Sequence, residues 1–405
     1  VFIPIGNTPR DYAWGSLTGI SEALGTPASG SPEAELWLGA HPGSPSRILD
    51  PSSVGASTLA EYLAHDPEEA LAGVEGSVDP VSGAPRLPFL LKILAAGGPL
   101  SLQAHPSSER ARRRFVEEDE AGIPRDAANR NYKDPFHKPE LIYALSESFD
   151  ALCGFREPGG TRALLADLAG RASGVDAEAI TAFAATLEGE PGEALRGAVT
   201  WLLEDGDRTE VAALVAAVVA ASAGDDRLET ATVRDLAESY PGDPGIALSL
   251  LLNRVRLARG EVLYLPAGNI HAYLLGTGVE LMAASDNVLR GGLTPKHIDV
   301  PELVEVLDFS PLPVPYLRPE EPVEGLRVYR PDVPDFVLAV VEPVSEEAVQ
   351  VPLTGPAIAI ATAGGFTLRG SGGEARVERG ESVYVTPSER ALAVTGSGTL
   401  FIATV

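Results

Sequence analysis

Hydrophobic positions along this chain fall into three regimes. Up to about residue 155 they come in short runs, such as 87–94 and 141–145, set among Pro- and Gly-rich stretches. Runs of that length bounded by turn residues predict strands and loops, here interrupted by a charged helix over residues 107–120. From about 158 to 240 the pattern changes to Ala-rich periodic runs, over 162–168, 179–187, 193–203, 210–221 and 230–240, separated by Gly- and Asp-bearing breaks. That is the signature of a helical block. Short apolar runs resume at Val255, prolines at 311, 313, 315, 319 and 322 mark a linker, and alternating runs over 357–361, 382–385 and 400–405 describe a small all-β unit.

The expected fold is therefore mainly β with a helical insert. One β domain comprises residues 1–155 plus 251–312, the inserted all-α domain spans 156–250, and a C-terminal β domain covers 313–405. A short internal repeat supports two β units. Gly260-Glu-Val-Leu-Tyr-Leu-Pro266 resembles Gly380-Glu-Ser-Val-Tyr-Val-Thr-Pro387, each a glycine turn, a strand and a proline turn. The first copy continues to His271, whereas the second has no histidine nearby, so the second unit is expected to hold no metal.

Composition narrows the function. A chain of 405 residues has room for two or three domains, and 44% hydrophobic with 22% charged residues is ordinary for a soluble globular protein. A formal net charge of −26 argues against nucleic acid or an anionic membrane surface as the main partner. The lone Cys153 rules out an internal disulfide and fits a cytoplasmic location. No signal peptide is expected from the first residues, and the apolar stretch 211–223 is too short to span a bilayer, reading instead as a buried helix. Of 31 basic residues only Lys92, Lys133, Lys138 and Lys296 are lysines. Lys, unlike Arg, can serve as an acid or base when burial lowers its pKa.

The chemistry-bearing residues lie in three segments. Gly260-x5-Pro266-x-Gly268-x2-His271 resembles the second signature of the cupin family, a double-stranded β-helix or jelly roll, with Leu275 where that family places a closing Asn. In Ser101-Leu-Gln103-Ala-His105-Pro106, period-two alternation puts Gln103 and His105 on one strand face. Glu140 follows His137-Lys138-Pro139 at the entrance of an apolar strand. Gln, His, Glu and His give mixed N/O ligation suited to zinc.

Further segments extend the resemblance. Tyr12-Ala-Trp14-Gly-Ser16, Ala34-Glu35-Leu-Trp37-Leu-Gly-Ala-His41-Pro42, Asn131-Tyr-Lys133-Asp, Tyr240-Pro-Gly-Asp243, Pro266-Ala-Gly-Asn-Ile-His271-Ala-Tyr273 and Ser285-Asp286-Asn-Val-Leu-Arg290-Gly-Gly-Leu-Thr-Pro-Lys296 occur in order. Together with the Gln103 and Glu140 segments they resemble the type I mannose-6-phosphate isomerases over roughly residues 10–310. The resemblance implies a cupin catalytic domain, a degenerate cupin-like C-terminal domain and one zinc ion on Gln103, His105, Glu140 and His271. It further implies catalytic or substrate roles for Trp14, Lys92, Ser101, Lys138, Tyr273, Glu280, Asp286, Arg290 and Lys296. The implied activity interconverts mannose 6-phosphate and fructose 6-phosphate, in a monomer whose partner is a sugar phosphate.

Such a reaction moves a proton between C2 and C1, and His137, Lys138, Glu280 and Asp286 all remain candidates to carry it. Arg290, flanked by two glycines, suits a phosphate or an oxyanion. His41, His65, His297 and Cys153 read as surface or packing residues, and Arg112–Arg114 as a solvated helix face. Two rival readings are an Fe(II) oxygenase on the same fold and a non-catalytic sugar-binding cupin. Gln103 and the Lys138, Arg290 and Lys296 set weigh against the first, and the full ligand set against the second.

Overall fold

The computed structural model describes residues 1–405, the side chain of Asp205 excepted. The chain is mainly β, with antiparallel sheets of nine and ten strands and a block of helices. The nine-stranded sheet is organised by His271–Ala283, a strand of 13 residues. Its second half pairs with Phe89–Ala96 and with Glu140–Ala144. Its first half pairs His271 with Gln103 and with Cys153. A register shift between Tyr273 and Leu275 bends the strand between the halves, and Gly276 follows at φ 128°. A Cβ at that position would meet the Phe149 backbone at 2.9 Å, so both conformation and space demand glycine there.

Local sequence explains the elements. Phe89–Ala96 is apolar except for Lys92 and buried at every position, the pattern of a strand covered on both faces. Ser108–Glu120 begins where the Ser107 hydroxyl accepts from the Arg110 N–H, an N-cap that satisfies one free donor of the first turn. The helical block comprises Pro158–Arg171, Val175–Ala185, Pro191–Thr200, Arg208–Ala221 and Leu228–Ser239, close to the periodic runs, and a short helix Gly245–Leu248. Pro158 and Pro191 open their helices, where a missing N–H costs nothing. Among the described residues no helix is long and apolar enough to cross a membrane.

The ten-stranded sheet draws eight strands from residues 320–404 and two from the beginning of the chain. Phe2–Gly6 pairs with Ser382–Val385, and Arg47–Ile48 adds to its other edge. The sequence pattern groups these opening residues with the first β unit. Their alternation, with Ile3 and Ile5 buried and Pro4 exposed, marks a strand but names no partner. The two copies of the internal repeat form equivalent strands, Val262–Leu265 and Ser382–Val385, behind glycines at φ 88° and 86°. The proline-rich linker runs extended along the first sheet, Tyr264 N–H donating to the Pro315 carbonyl at 3.0 Å and Leu317 N–H to that of Val262 at 2.9 Å.

Two cores fix this arrangement. Leu164, Leu168, Leu214 and Val218 of the helices share one with Leu102, Leu152, Phe155 and Ile270 of the first sheet. Leu91, Leu141, Val279 and Leu281 share another with Phe336, Leu338, Ile358 and Phe401 of the second sheet. Each such side chain contributes about 1.5–3 kcal/mol on burial. The second sheet is thus packed against the first as well as joined to it by the linker.

Candidate metal centre and adjoining cavity

Strand register builds the centre. His271 lies opposite Gln103 in one pairing, Arg290 lies opposite Gln103 in the next, and Glu140 lies opposite Met282 farther along the same long strand. His105 follows two residues after Gln103. The ligand atoms of His105, Glu140 and His271 all fall within 4.8 Å of one another, and all three residues are buried.

Hydrogen bonds set the tautomers. His105 Nδ1–H donates to the Asn287 carbonyl at 2.8 Å, and His271 Nδ1–H to the Asn269 carbonyl at 3.0 Å. A carbonyl can only accept, so each Nε2 is left with a lone pair. Those lone pairs face Glu140, His105 Nε2 lying 3.4 Å from Oε1 and His271 Nε2 3.4 Å from Oε2. Burial pushes His105 down to about 4, against the pull of Glu140, so its imidazole is neutral at physiological pH. Burial alone would raise the Glu140 carboxyl, yet the neighbouring Lys138 ammonium holds it well below the usual range.

His105 Nε2 and Glu140 Oε2 are buried without a hydrogen-bond partner. Orphaned acceptors converging on one point are costly unless a cation sits among them. Gln103 completes the group, its amide 3.4 Å from His271 Nε2, and a half-turn of that amide exchanges its nitrogen for an oxygen donor. The residues present therefore fit a divalent ion taking mixed N/O ligands.

Beside this centre opens a cavity of about 520 Å³. Trp14, Lys92, Ser101, Gln103, Lys138, Glu140, Tyr273, Glu280, Asp286, Arg290 and Lys296 all line it, and so does Lys133. Every lysine of the chain lines this one cavity, Lys92 and Lys138 buried and Lys133 and Lys296 exposed. Lys138 Nζ is 2.9 Å from Glu140 Oε1. Lys92 Nζ lies 2.8 Å from Glu280 and 3.3 Å from Glu35, and these carboxylates outweigh burial and keep it a cation. Burial raises the Glu280 carboxyl despite Lys92. Burial likewise pushes the Tyr273 hydroxyl well up, and that hydroxyl is unpartnered.

The other three cations lining the cavity, Arg290, Lys133 and Lys296, differ. Arg290 is lowered by burial, and Lys296 by burial with Arg290 and Lys133 nearby. None of these three forms an ion pair with a carboxylate among the described residues, although Asp286 lines the same cavity. Asp286 instead meets His41 at 3.3 Å, and His41 packs edge-on against Trp37 at 4.9 Å between ring centres. Cys153 is a buried core residue whose thiol burial pushes up to about 12.

Sequence reasoning assigned no role to several residues that shape the cavity. Glu35 binds both Lys92 and the Trp37 indole N–H, at 2.9 Å for the latter. Tyr240 of the helical block lines the cavity and donates to the Pro99 carbonyl at 2.7 Å. Asn287, wholly buried, ties the loop before Glu140 to the strand carrying Arg290. Each lay inside a recognised motif, but neither spacing nor composition distinguishes a partner of a site residue from a site residue.

The chain is similar in sequence and in fold to known proteins. A sequence profile for the type I phosphomannose isomerase catalytic domain matches residues 2–158. The mannose-6-phosphate isomerase of Escherichia coli K12 is 36% identical over 407 residues, covering 97% of each chain. The human mannose-6-phosphate isomerase is 33% identical, over 83% of this chain and 80% of its own. A zinc-bound crystal structure of mannose 6-phosphate isomerase superposes with a TM-score of 0.87 at 35% identity, covering 100% of this chain and 99% of that one. The apo enzyme of Salmonella typhimurium gives 0.86 at 35% identity, over 100% and 98%. The chain belongs to the type I phosphomannose isomerase family.

Proposed function

We propose that this chain is a zinc-dependent aldose–ketose isomerase interconverting D-mannose 6-phosphate and D-fructose 6-phosphate through a cis-enediol or enediolate, at the entry to GDP-mannose precursors and hexose phosphate metabolism. The observation that carries this is the convergence of orphaned His105 and Glu140 acceptors beside a cavity holding unpaired Arg290, Lys133 and Lys296. Gln103, His105, Glu140 and His271 would hold one zinc ion. When bound, zinc supplies a positive charge that favours the developing enediolate oxygen.

The chain's own residues do the rest. Arg290, Lys133 and Lys296 grip the phosphate, none of them being tied up in an ion pair. Glu280 is the favoured carrier of the carbon proton, because burial raises its pKa toward neutrality while Lys92, 2.8 Å away, steadies its charged form. Lys138 and Asp286 serve ring opening at the sugar oxygens. Trp14, Ser101 and Tyr273 orient the sugar.

The site is assigned to a cupin-type jelly roll over 1–155 plus 251–312, with 156–250 as a helical insert and 313–405 as a degenerate cupin-like unit that takes in strand Phe2–Gly6. A monomeric cytoplasmic enzyme completes the reading. An Fe(II) oxygenase would have no use for three unpaired cations, and a sugar-binding module none for a buried metal centre.

The test is a coupled assay for fructose 6-phosphate formed from mannose 6-phosphate, with metal content measured in parallel. Activity should vanish on complete chelation and return with zinc. Unchanged turnover by metal-free protein would overturn the proposal, and oxygen uptake restored by iron would favour the oxygenase.

A further inference from the structure

The loop that ends in Glu140 is held from two sides. On the side of the first sheet, Asn287 Nδ2 donates to the carbonyls of Asp134 at 2.7 Å and Phe136 at 2.8 Å. Its Oδ1 accepts from Lys133 N–H at 2.8 Å, and Ser285 Oγ donates to Asp134 Oδ1 at 2.8 Å. Those ties stop at Phe136. The next side chain, His137, reaches the other sheet, its Nε2–H donating to Asp335 Oδ2 at 2.7 Å. Both side chains are largely buried, at 19% and 12% exposure, so water competes weakly for this bond. His137 immediately precedes Lys138, whose Nζ reaches Glu140 and the cavity.

Asp335 is a fixed post. Phe336 beside it is fully buried in the core joining the two sheets, and strand Val337–Val341 starts one residue later. Pro331 and Pro334 restrict the backbone leading to it. The receiving loop is bracketed by Pro135 and Pro139, and the Pro139 carbonyl accepts from Ala283 N–H at 3.1 Å. Both ends of the loop are therefore anchored to the first sheet, and the side-chain tie immediately before Lys138 comes from the second sheet. Among the described residues, none from 313–405 lines the cavity.

We propose that Asp335 is a positioning residue: the C-terminal β unit sets the place of Lys138 through the Asp335–His137 contact. This gives the second sheet a part in the reaction that its lack of cavity residues would otherwise deny it. The catalytic side of the inference rests on the isomerase reading above, whereas the coupling of loop to sheet does not.

The experiment compares Asp335→Ala, Asp335→Asn, His137→Ala and the Asp335→Ala/His137→Ala pair in the zinc-loaded, full-length protein. Three readouts are taken: kcat and KM for mannose 6-phosphate, zinc content, and hydrogen exchange of the 133–138 amides. Losing one charge-assisted bond predicts a fall in kcat of about tenfold or more for Asp335→Ala, with KM within about threefold. Zinc content should remain at one per chain, and the 133–138 amides should exchange faster. Asp335→Asn keeps an acceptor oxygen and should recover kcat to within about threefold of wild type. The pair should be no worse than either single variant.

Wild-type kcat and exchange in Asp335→Ala, or multiplying losses in the pair, would overturn the proposal. His137→Ala leaves the core around Phe336 untouched and removes the same contact from its other end, so it decides the matter if the Asp335 variants fail to fold. An inactive wild type would sink the isomerase reading alone, with the exchange data still deciding the coupling.

Discussion

Glu140→Gln isolates charge from shape at the metal centre. The substitution keeps the volume of a residue whose two oxygens lie 3.4 Å from each imidazole and removes its single negative charge. Two consequences follow with separate magnitudes. The metal loses its one anionic ligand. Because residues that merely orient ligands are worth about 10–100-fold in metal affinity, a direct charged ligand should cost more than about 100-fold. Lys138 loses its partner at 2.9 Å while remaining about nine-tenths buried. Removing one member of such a pair costs about 3–5 kcal/mol, because the other charge stays behind uncompensated. A chelator-competition titration measures the first quantity. Urea unfolding of metal-free wild type and variant measures the second, free of any metal contribution. Zinc affinity within tenfold of wild type would refute Glu140 as a ligand. Metal-free stability within about 0.5 kcal/mol would refute the Lys138 pairing, since surface-like changes fall in that range.

Arg290→Ala should lower kcat/KM by about 10–150-fold, the equivalent of one lost charged hydrogen bond, while zinc content stays at wild-type level; steady-state kinetics beside metal analysis checks it. Asp150 accepts from Arg254 at 2.9 Å and Arg256 at 2.8 Å, and these bonds overcome burial to depress its carboxyl. A depressed folded-state pKa means stabilisation that is present above the unfolded value of about 3.9 and lost as pH falls through the lower folded value. Asp150→Ala should therefore destabilise the protein by about 3 kcal/mol at pH 7 and show a shallower loss of stability as pH falls below about 4, measured by urea melts through the acid range.

Much of the site could be read in advance because its residues obey local rules. Gln103 and His105 alternate along one strand, Gly260 and Pro266 bracket another, and a proline precedes Glu140. The helical block announced itself through Ala-rich periodicity. Partnerships between distant segments were not legible. Phe2–Gly6 carries the alternation of a strand, but nothing in it points to Ser382–Val385 as its neighbour, since many strands would accept the same hydrogen bonds. Lys92 read as one of four lysines suited to acid or base work, yet it is clamped by Glu35 and Glu280, 57 and 188 positions away. Asn287 lay inside a recognised motif with no role of its own, and Asp335 lay outside every motif. Only the folded register shows that each secures a neighbour of the centre.

The gathering of all four lysines around one cavity concentrates the protein's side-chain amine chemistry there, with Lys92 and Lys138 buried and Lys133 and Lys296 exposed. Reductive methylation or acylation, which on most proteins decorates the surface at random, would here find its side-chain targets grouped around a single cavity. Isotope-labelled methyl groups placed that way would act as four spectroscopic reporters of whatever enters. By the same token, attachment to a support through lysine would put the tether where the substrate goes.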